Sequence, residues 1–408
     1  MKRLLLVSYF YPPHSWSIAA MRPYWFSVLL PKLGWDVWVF TSGGPVRDPS
    51  FSDEGVNVLR TGKAEIRSSA PPGVSTLGKT IARLFLWPDS RRFWLREAGR
   101  LEELVREFEP HIILACAPPY TDLLMAERVS ERTGIPFAVD LWDPWKEDVY
   151  GMYPTPFHKR LTRRAEERVF RKAKMVFVVN GAMREALSSR YPDKRFLTLP
   201  FGYDPAGVPG PAPKSNRFHI AYLGSMFGEH KRPEGLFAGF LSLPDNASVE
   251  FSFVGNKSQK AKVLIRELGK RFPVRESDYL PHCEAMKVAA SAHALVVLST
   301  RGPHYHLIST GKAFEAIGMG RAILGVVPKD TWIWDFLKEH NAYLADPDEQ
   351  GAIRETTIRM INDWSGGRLM LPDPERIKAF RWEELARKLS DWLSESLEHS
   401  NSRARRFY

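Results

Sequence analysis

Short, continuously apolar runs recur along the chain with helical stretches between them. RLLLVSYF, DVWVFTS, HIILACA, FAVDLWD and MVFVVN lack the alternation of a strand with one wet face, so they read as strands buried on both sides. Helical periodicity covers the intervals from about Glu97 to Phe108, Tyr120 to Thr133 and Phe157 to Ala173. Strand and helix in alternation predict a parallel sheet with helices on either side. YDPAGVPGPAPKSNR, Tyr203 to Arg217, then has the proline and glycine density of a linker. Beyond it the pattern restarts. FHIAYLGS, VEFSFVGN, HALVVLST, AILGVVP and NAYLAD read as strands, with helices near Glu234–Leu241, Lys260–Arg271, Cys283–Ala292 and Gly311–Met319.

The expected organisation is therefore α/β, two doubly wound Rossmann-like domains facing a central cleft, since ligands of such sheets sit beyond the C-terminal ends of the strands. The boundaries drawn are 1–203 for the first domain, 204–217 for the linker and 218–375 for the second. Residues 376–400 form a last helix that can pack back on the first domain, and 401–408 a disordered tail. A length of 408 residues fits two cores rather than one.

Composition narrows the function classes. With 44% hydrophobic and 26% charged residues the chain is globular in character. No apolar run reaches the roughly 20 residues of a membrane span, and the opening MKRLLLVSYFYPPH breaks too early for a secretory signal, so the expected location is the cytoplasm, peripheral at most to the inner face of the membrane. Cys116 and Cys283 sit in apolar contexts and are expected to be reduced and buried. A formal charge of +11 points to anionic partners: nucleotide phosphates, an anionic membrane surface or nucleic acid. Nucleic acid ranks last, because the basic residues show no recognised module.

Neither G-x-G-x-x-G after the first strand nor G-x-x-x-x-G-K-[ST] occurs, which disfavours a dehydrogenase and a P-loop ATPase. Instead, Ser309, Thr310 and Gly311 mark a strand-to-helix junction in STGKAFEAIGMG, with Lys312 in the first turn. Backbone N–H groups at a helix start, with an ammonium added, suit a diphosphate. The plain alternative makes Thr310 a helix cap and Lys312 a solvated lysine. In GSMFGEHKRPEG, Gly224 ends a strand, and Lys231 and Arg232 follow in a loop suited to phosphate or to solvent.

In the first half, Asp140 and Asp143 of FAVDLWDPW stand at a strand end, where carboxylates bind sugar hydroxyls or cap the next helix. LWPDSRRFW combines Asp89 with aromatic rings that stack on sugars or fill a core. The helix FHKRLTRRAEERVFRKAK carries a face dense in lysine and arginine, which lies on anionic lipid or in solvent. His304 and His306 lack a third ligand, so no metal is assigned.

In order along the chain, LLLVSYFYPPHSWSIAAMRPYWFSVLLPKLGWDVWVFTS, PHIILACAPPYTDLLMA, IPFAVDLWDPW and TGKAFEAIGMGRAIL resemble segments of glycosyltransferase family 4, of the GT-B fold. That resemblance implies a nucleoside-diphosphate-sugar donor bound by the C-terminal domain, an acceptor bound by the N-terminal one, and metal-independent transfer with retention of configuration, needing no cofactor. Carried over by position, Glu315 matches the glutamate on the donor ribose, and Gly311 with Lys312 matches the turn facing the diphosphate. Lys231, with Arg232 beside it, matches the lysine acting on the leaving diphosphate. Asp143 is the other catalytic candidate, and Ser15, Trp16, Ser17, Asp89 and Asp140 are the acceptor-side candidates.

Departures are also legible. Leu307 stands where many members have a glutamate for the donor sugar, Ser225 replaces an arginine, Ser15-Trp16-Ser17 replaces a Gly-Gly loop, and Trp142 replaces an arginine before Asp143. The expected function is a retaining glycosyltransferase acting on a glycan or lipid-linked acceptor in surface polysaccharide biosynthesis. An epimerase or hydrolase acting on nucleotide sugars, or a non-catalytic subunit of an assembly complex, shares the fold and stays open.

Overall fold

A computed structural model describes residues 1–14, 18–46, 48–62, 84, 86–149, 151–207, 210, 214–349 and 351–404. The chain divides into two compact units: Met1–Pro200 with Trp382–Tyr408, and Phe201–Arg381. The change of unit falls at Phe201, ahead of the segment drawn as a linker from residue 204.

The first unit holds a seven-stranded sheet in the order β3-β2-β1-β4-β5-β6-β7. Its strands are β1 (Lys2–Val7), β2 (Trp35–Ser42), β3 (Asn57–Thr61), β4 (Ile112–Ala117), β5 (Phe137–Leu141), β6 (Val176–Val178) and β7 (Phe196–Thr198). Every pairing is parallel. The central strands β4 and β5 are buried along their whole length, which is why β4 reads as an unbroken apolar run and β5 as one interrupted only by Asp140. Strand order reverses between β1 and β4, so the crevice for a ligand lies beyond Val7 and Ala117.

Helix Trp382–Ala404 returns to this unit. Trp382, Leu385, Leu389 and Leu393 join the core of β1 and β2 and helix Ile18–Leu29, with Trp382 stacked on Trp25 at 6.4 Å. The apolar positions recur at intervals of three and four, one stripe of a helix. This helix continues through Ala404, past the point where a disordered tail was expected to begin. Cys116 is buried in β4, but Cys283 is exposed in the first turn of helix His282–Ser291, which corrects the reading of both thiols as buried.

The second unit repeats the architecture with a six-stranded parallel sheet, β10-β9-β8-β11-β12-β13. The strands are β8 (Phe218–Leu223), β9 (Val249–Val254), β10 (Val274–Ser277), β11 (Ala294–Leu298), β12 (Ala322–Val326) and β13 (Tyr343–Ala345). Here the order reverses between β8 and β11, beyond Leu223 and Leu298. Each unit is thus a doubly wound, Rossmann-like fold. Among the described residues no helix is long and apolar enough to cross a membrane.

At the opposite end of β8, His219 is buried, with Nε2 accepting from Ser252 Oγ at 2.8 Å and Nδ1 donating to the Ser291 carbonyl at 3.1 Å. Burial holds its pKa below the ordinary 6.5. The unfolded chain therefore takes up a proton that the native imidazole refuses, and stability falls as pH drops from 6.5 towards the native value. Thermal melts from pH 7.5 to 5 should show this loss, and His219→Gln should flatten it by about one proton.

Candidate functional site

In the second unit, the loop after β8 and the loop after β11 meet at the C-terminal edge of the sheet. Thr300 ties them: its N–H donates to the His230 carbonyl at 2.9 Å and its Oγ1 accepts from Arg232 N–H at 3.1 Å. Lys231 ends the short turn Glu229–Lys231 and is half-buried, while the Arg232 guanidinium donates to the Arg301 carbonyl. Both basic residues therefore stand on the loop after β8, tied through Thr300 to the loop after β11.

Helix Gly311–Gly318 begins at the far end of the β11 loop. Thr310 takes the cap position (φ −109°, ψ 120°), yet its side chain makes no capping hydrogen bond. Thr155, Asn180, Ser258 and Thr331 do cap their own helices with side-chain oxygens. The plain reading of Thr310 as a side-chain cap thus fails, and the first N–H groups of the helix keep their capacity for another acceptor. Ser309 Oγ, just before them, is buried and makes no hydrogen bond.

Lys312 is held in place by a glycine. Gly224 has φ +152°, and a Cβ there would stand 2.7 Å from Lys312 Cε and 3.0 Å from Cδ. Only a residue without a side chain lets the lysine stem cross this turn. One turn on, Glu315 Oε2 lies 3.7 Å from Lys312 Nζ, and both side chains remain partly accessible. Leu223, Lys312, Glu315, Ala316 and Met319 line a common recess with Met286. The geometry brings Gly224, Lys312 and Glu315 together beyond β8, with Thr310 and Gly311 at the helix start and Lys231 and Arg232 on the loop opposite. A carboxylate on one side and an ammonium with a row of N–H groups on the other fit a ribose followed by a diphosphate.

Leu307 is buried, 5% exposed, in the turn Tyr305–Leu307, and offers no polar atom. What fixes this loop was invisible in the sequence. Arg301 reaches Asp346 Oδ1 and Asp348 Oδ2 at 2.7 Å each, and Asp330 Oδ1 at 3.0 Å. Tyr305 also donates its hydroxyl to Asp330. The Tyr305 hydrogen bond lowers the Asp330 pKa; burial would raise Asp346, but Arg301 and two backbone N–H groups outweigh it and hold Asp346 below the ordinary 3.8 as well. Both shifts mean stability that is present above pH 3.8 and lost as pH falls through the native values. Arg301→Met should lower stability at pH 7 by about 1–2 kcal/mol, as charge-assisted hydrogen bonds of this exposure allow, and flatten the acid limb of the stability profile.

In the first unit the acceptor-side candidates separate. Asp140 is fully buried, accepting from Arg22 Nε at 2.9 Å, Arg22 Nη2 at 2.6 Å and Trp142 Nε1 at 2.9 Å. It joins helix Ile18–Leu29 to the sheet and presents no face to an acceptor. Asp89 is also committed: it accepts from Arg91 N–H at 2.8 Å, Thr121 N–H at 2.9 Å and Thr121 Oγ1 at 2.8 Å, and so caps helix Thr121–Thr133 from a distance. Around it, LWPDSRRFW is half-buried, with Trp94 fully buried against Phe40 at 5.5 Å. Asp143 is half-buried in the loop after β5. Ser15, Trp16 and Ser17 lie outside the described residues.

The group at the β1–β4 crevice that sequence reasoning missed is Asp122. Its Oδ2 accepts from Tyr9 N–H at 2.7 Å, its Oδ1 is buried with no hydrogen bond, and burial together with the Asp89 charge raises its pKa well above the ordinary 3.8. The only available signal was its place in the first turn after a strand. Among the described residues no group of three or more His, Cys, Asp or Glu could hold a metal ion.

Comparison with known proteins agrees with this architecture. Residues 22–202 match the family model described as glycosyl transferase 4-like domain. The chain is similar in fold to a sucrose-phosphate synthase from Thermosynechococcus elongatus, with a TM-score of 0.68 at 15% identity, covering 97% of this chain and 99% of that one. HepE of Anabaena, solved in complex with UDP, superposes with a TM-score of 0.66 at 14% identity, over 97% of this chain and 100% of that one. The lipopolysaccharide outer core galactosyltransferase WaaB gives 0.59 at 14% identity, over 97% and 99%. No curated protein sequence matches. The chain accordingly shares the two-domain fold of these glycosyltransferases, and its residues 22–202 match the glycosyl transferase 4-like domain.

Proposed function

We propose that this chain is a retaining glycosyltransferase that moves a sugar from a nucleoside-diphosphate sugar to a glycan or lipid-linked acceptor, in surface polysaccharide biosynthesis on the cytoplasmic side of the membrane. The observation that carries the reading is Lys312, laid across Gly224 at an uncapped helix start and followed one turn later by Glu315. Glu315 accepts from the ribose hydroxyls, and the diphosphate lies against the N–H groups of Gly311 and Lys312 and the Lys312 ammonium. As the bond from the sugar to the diphosphate breaks, negative charge grows on the leaving phosphate. Lys231, with Arg232 beside it, supplies fixed positive charge there and lowers the barrier, so the proposed transfer needs no metal.

The buried Leu307 removes a carboxylate from the sugar end, so the nucleotide end carries most of the recognition. HepE, of like fold, has been solved with UDP and with UDP and glucose, which makes UDP the first nucleotide to try. Calorimetric titration with UDP, GDP and their sugars tests the donor half. Product analysis with a glycan acceptor then separates transfer from hydrolysis or epimerisation, and the anomeric configuration of the product tests retention. Absence of nucleotide binding across the panel would overturn the reading.

A further inference from the structure

Helix Pro156–Lys172 of the first unit buries one face, where His158, Thr162, Ala165, Val169 and Phe170 are covered. Its other face is unusual in two respects. Lys159, Arg160, Arg163 and Arg164 are all exposed, and no ion pair joins any of them among the described residues. Further along the same helix, Arg168 pairs with Glu127 at 2.6 Å and Arg171 with Glu167 at 2.5 Å, so carboxylates are available to this helix and are placed elsewhere. Beside these cations, Phe157 is 70% exposed. Phe157, Arg160, Arg164 and Arg171 follow spacings of three, four and seven, which aligns them in one stripe.

Four cations unpaired among the described residues cost little in water, but an exposed phenylalanine leading them wastes apolar area unless something covers it. We propose that this face docks on an anionic lipid surface, with Phe157 entering the headgroup layer and Lys159, Arg160, Arg163 and Arg164 meeting lipid phosphates. Lipid is the occupant that matches both parts of the pattern, since each basic residue gains from the negative surface potential and the ring gains an apolar layer. A DNA duplex would meet the same charges but would leave Phe157 in water. The inference goes beyond the transfer reaction and stands independently of the donor assignment.

Cosedimentation of the full chain with phosphatidylcholine vesicles, with and without phosphatidylglycerol, tests it without any nucleotide sugar. Binding is expected to require phosphatidylglycerol and to weaken as salt rises. Arg160→Gln with Arg164→Gln should lower partitioning roughly 30-fold, and Phe157→Ser should lower it further. All three positions are exposed, so melting temperatures and UDP titrations of the variants should match the parent chain, keeping a failure of docking distinct from a failure of donor binding. Equal binding to neutral and anionic vesicles, unchanged binding by the double variant, or tighter binding to a DNA duplex would overturn the proposal.

Discussion

Replacing Lys312 with methionine is expected to weaken binding of UDP and of inorganic pyrophosphate alike, whereas Glu315→Ala is expected to weaken UDP and leave pyrophosphate unchanged. The two residues sit one turn apart with their charged atoms 3.7 Å from each other, but the proposed ligand divides between them. Lys312 faces the phosphates that both ligands share; Glu315 faces a ribose that pyrophosphate lacks. A charge-assisted hydrogen bond is worth about 1.5–3 kcal/mol, so each loss should read as roughly a 10- to 100-fold change in Kd. Methionine keeps the aliphatic stem over Gly224, so the Lys312 variant removes charge without opening a hole. Calorimetry with the two ligands gives four numbers. Equal loss of both ligands in Glu315→Ala would mean that the carboxylate acts only by holding Lys312, and no change in either variant would remove the site.

The cluster proposed for the donor was legible because its residues are contiguous or carried by a recognisable strand end. Gly311, Lys312 and Glu315 fall within one helix turn and a half, and Gly224 closes a mostly apolar strand. The central strands were legible for the same reason, since burial on both faces makes β4, β11 and β12 unbroken apolar runs. Edge strands escaped. Val274–Ser277 reads VRES and is mostly accessible, and Asn57–Thr61 reads NVLRT, so neither carries the apolar signal of a covered strand. Strand Phe196–Thr198 is too short for periodicity to be read at all. Helices Gly181–Arg190, Trp332–Glu339 and Ala352–Ser365 were also passed over.

What the sequence concealed about the site is long-range charge pairing. Arg301 finds acids 29, 45 and 47 positions away, and nothing near Arg301 in the chain announces them. A strand-end aspartate looks the same on paper whether it faces a ligand or a buried guanidinium. Asp140 was read as an acceptor group on that ground, and the fold instead places Arg22, 118 residues away, against it.

Asp140→Asn should therefore unfold the first unit more readily rather than impair acceptor binding. Asp140 lies in β5, flanked by Cys116 of β4 and Phe177 of β6, and both it and Arg22 are fully buried. The guanidinium also donates from Nη1 to the Pro200 carbonyl at 2.6 Å, so the pair anchors the last residue of the unit before Phe201 as well. An asparagine turns an N–H group towards a guanidinium that can only donate, leaving a buried cation without its counter-charge. Breaking a buried pair from one side costs about 3–5 kcal/mol, or roughly 10 °C in melting temperature for a unit of this size. Arg22→Met with Asp140→Leu should recover much of that loss, because an apolar pair of similar volume removes both charges at once. Melting curves of the two variants beside acceptor titrations decide the matter. A folded Asp140→Asn protein with unchanged melting temperature and weakened acceptor binding would return Asp140 to the acceptor site.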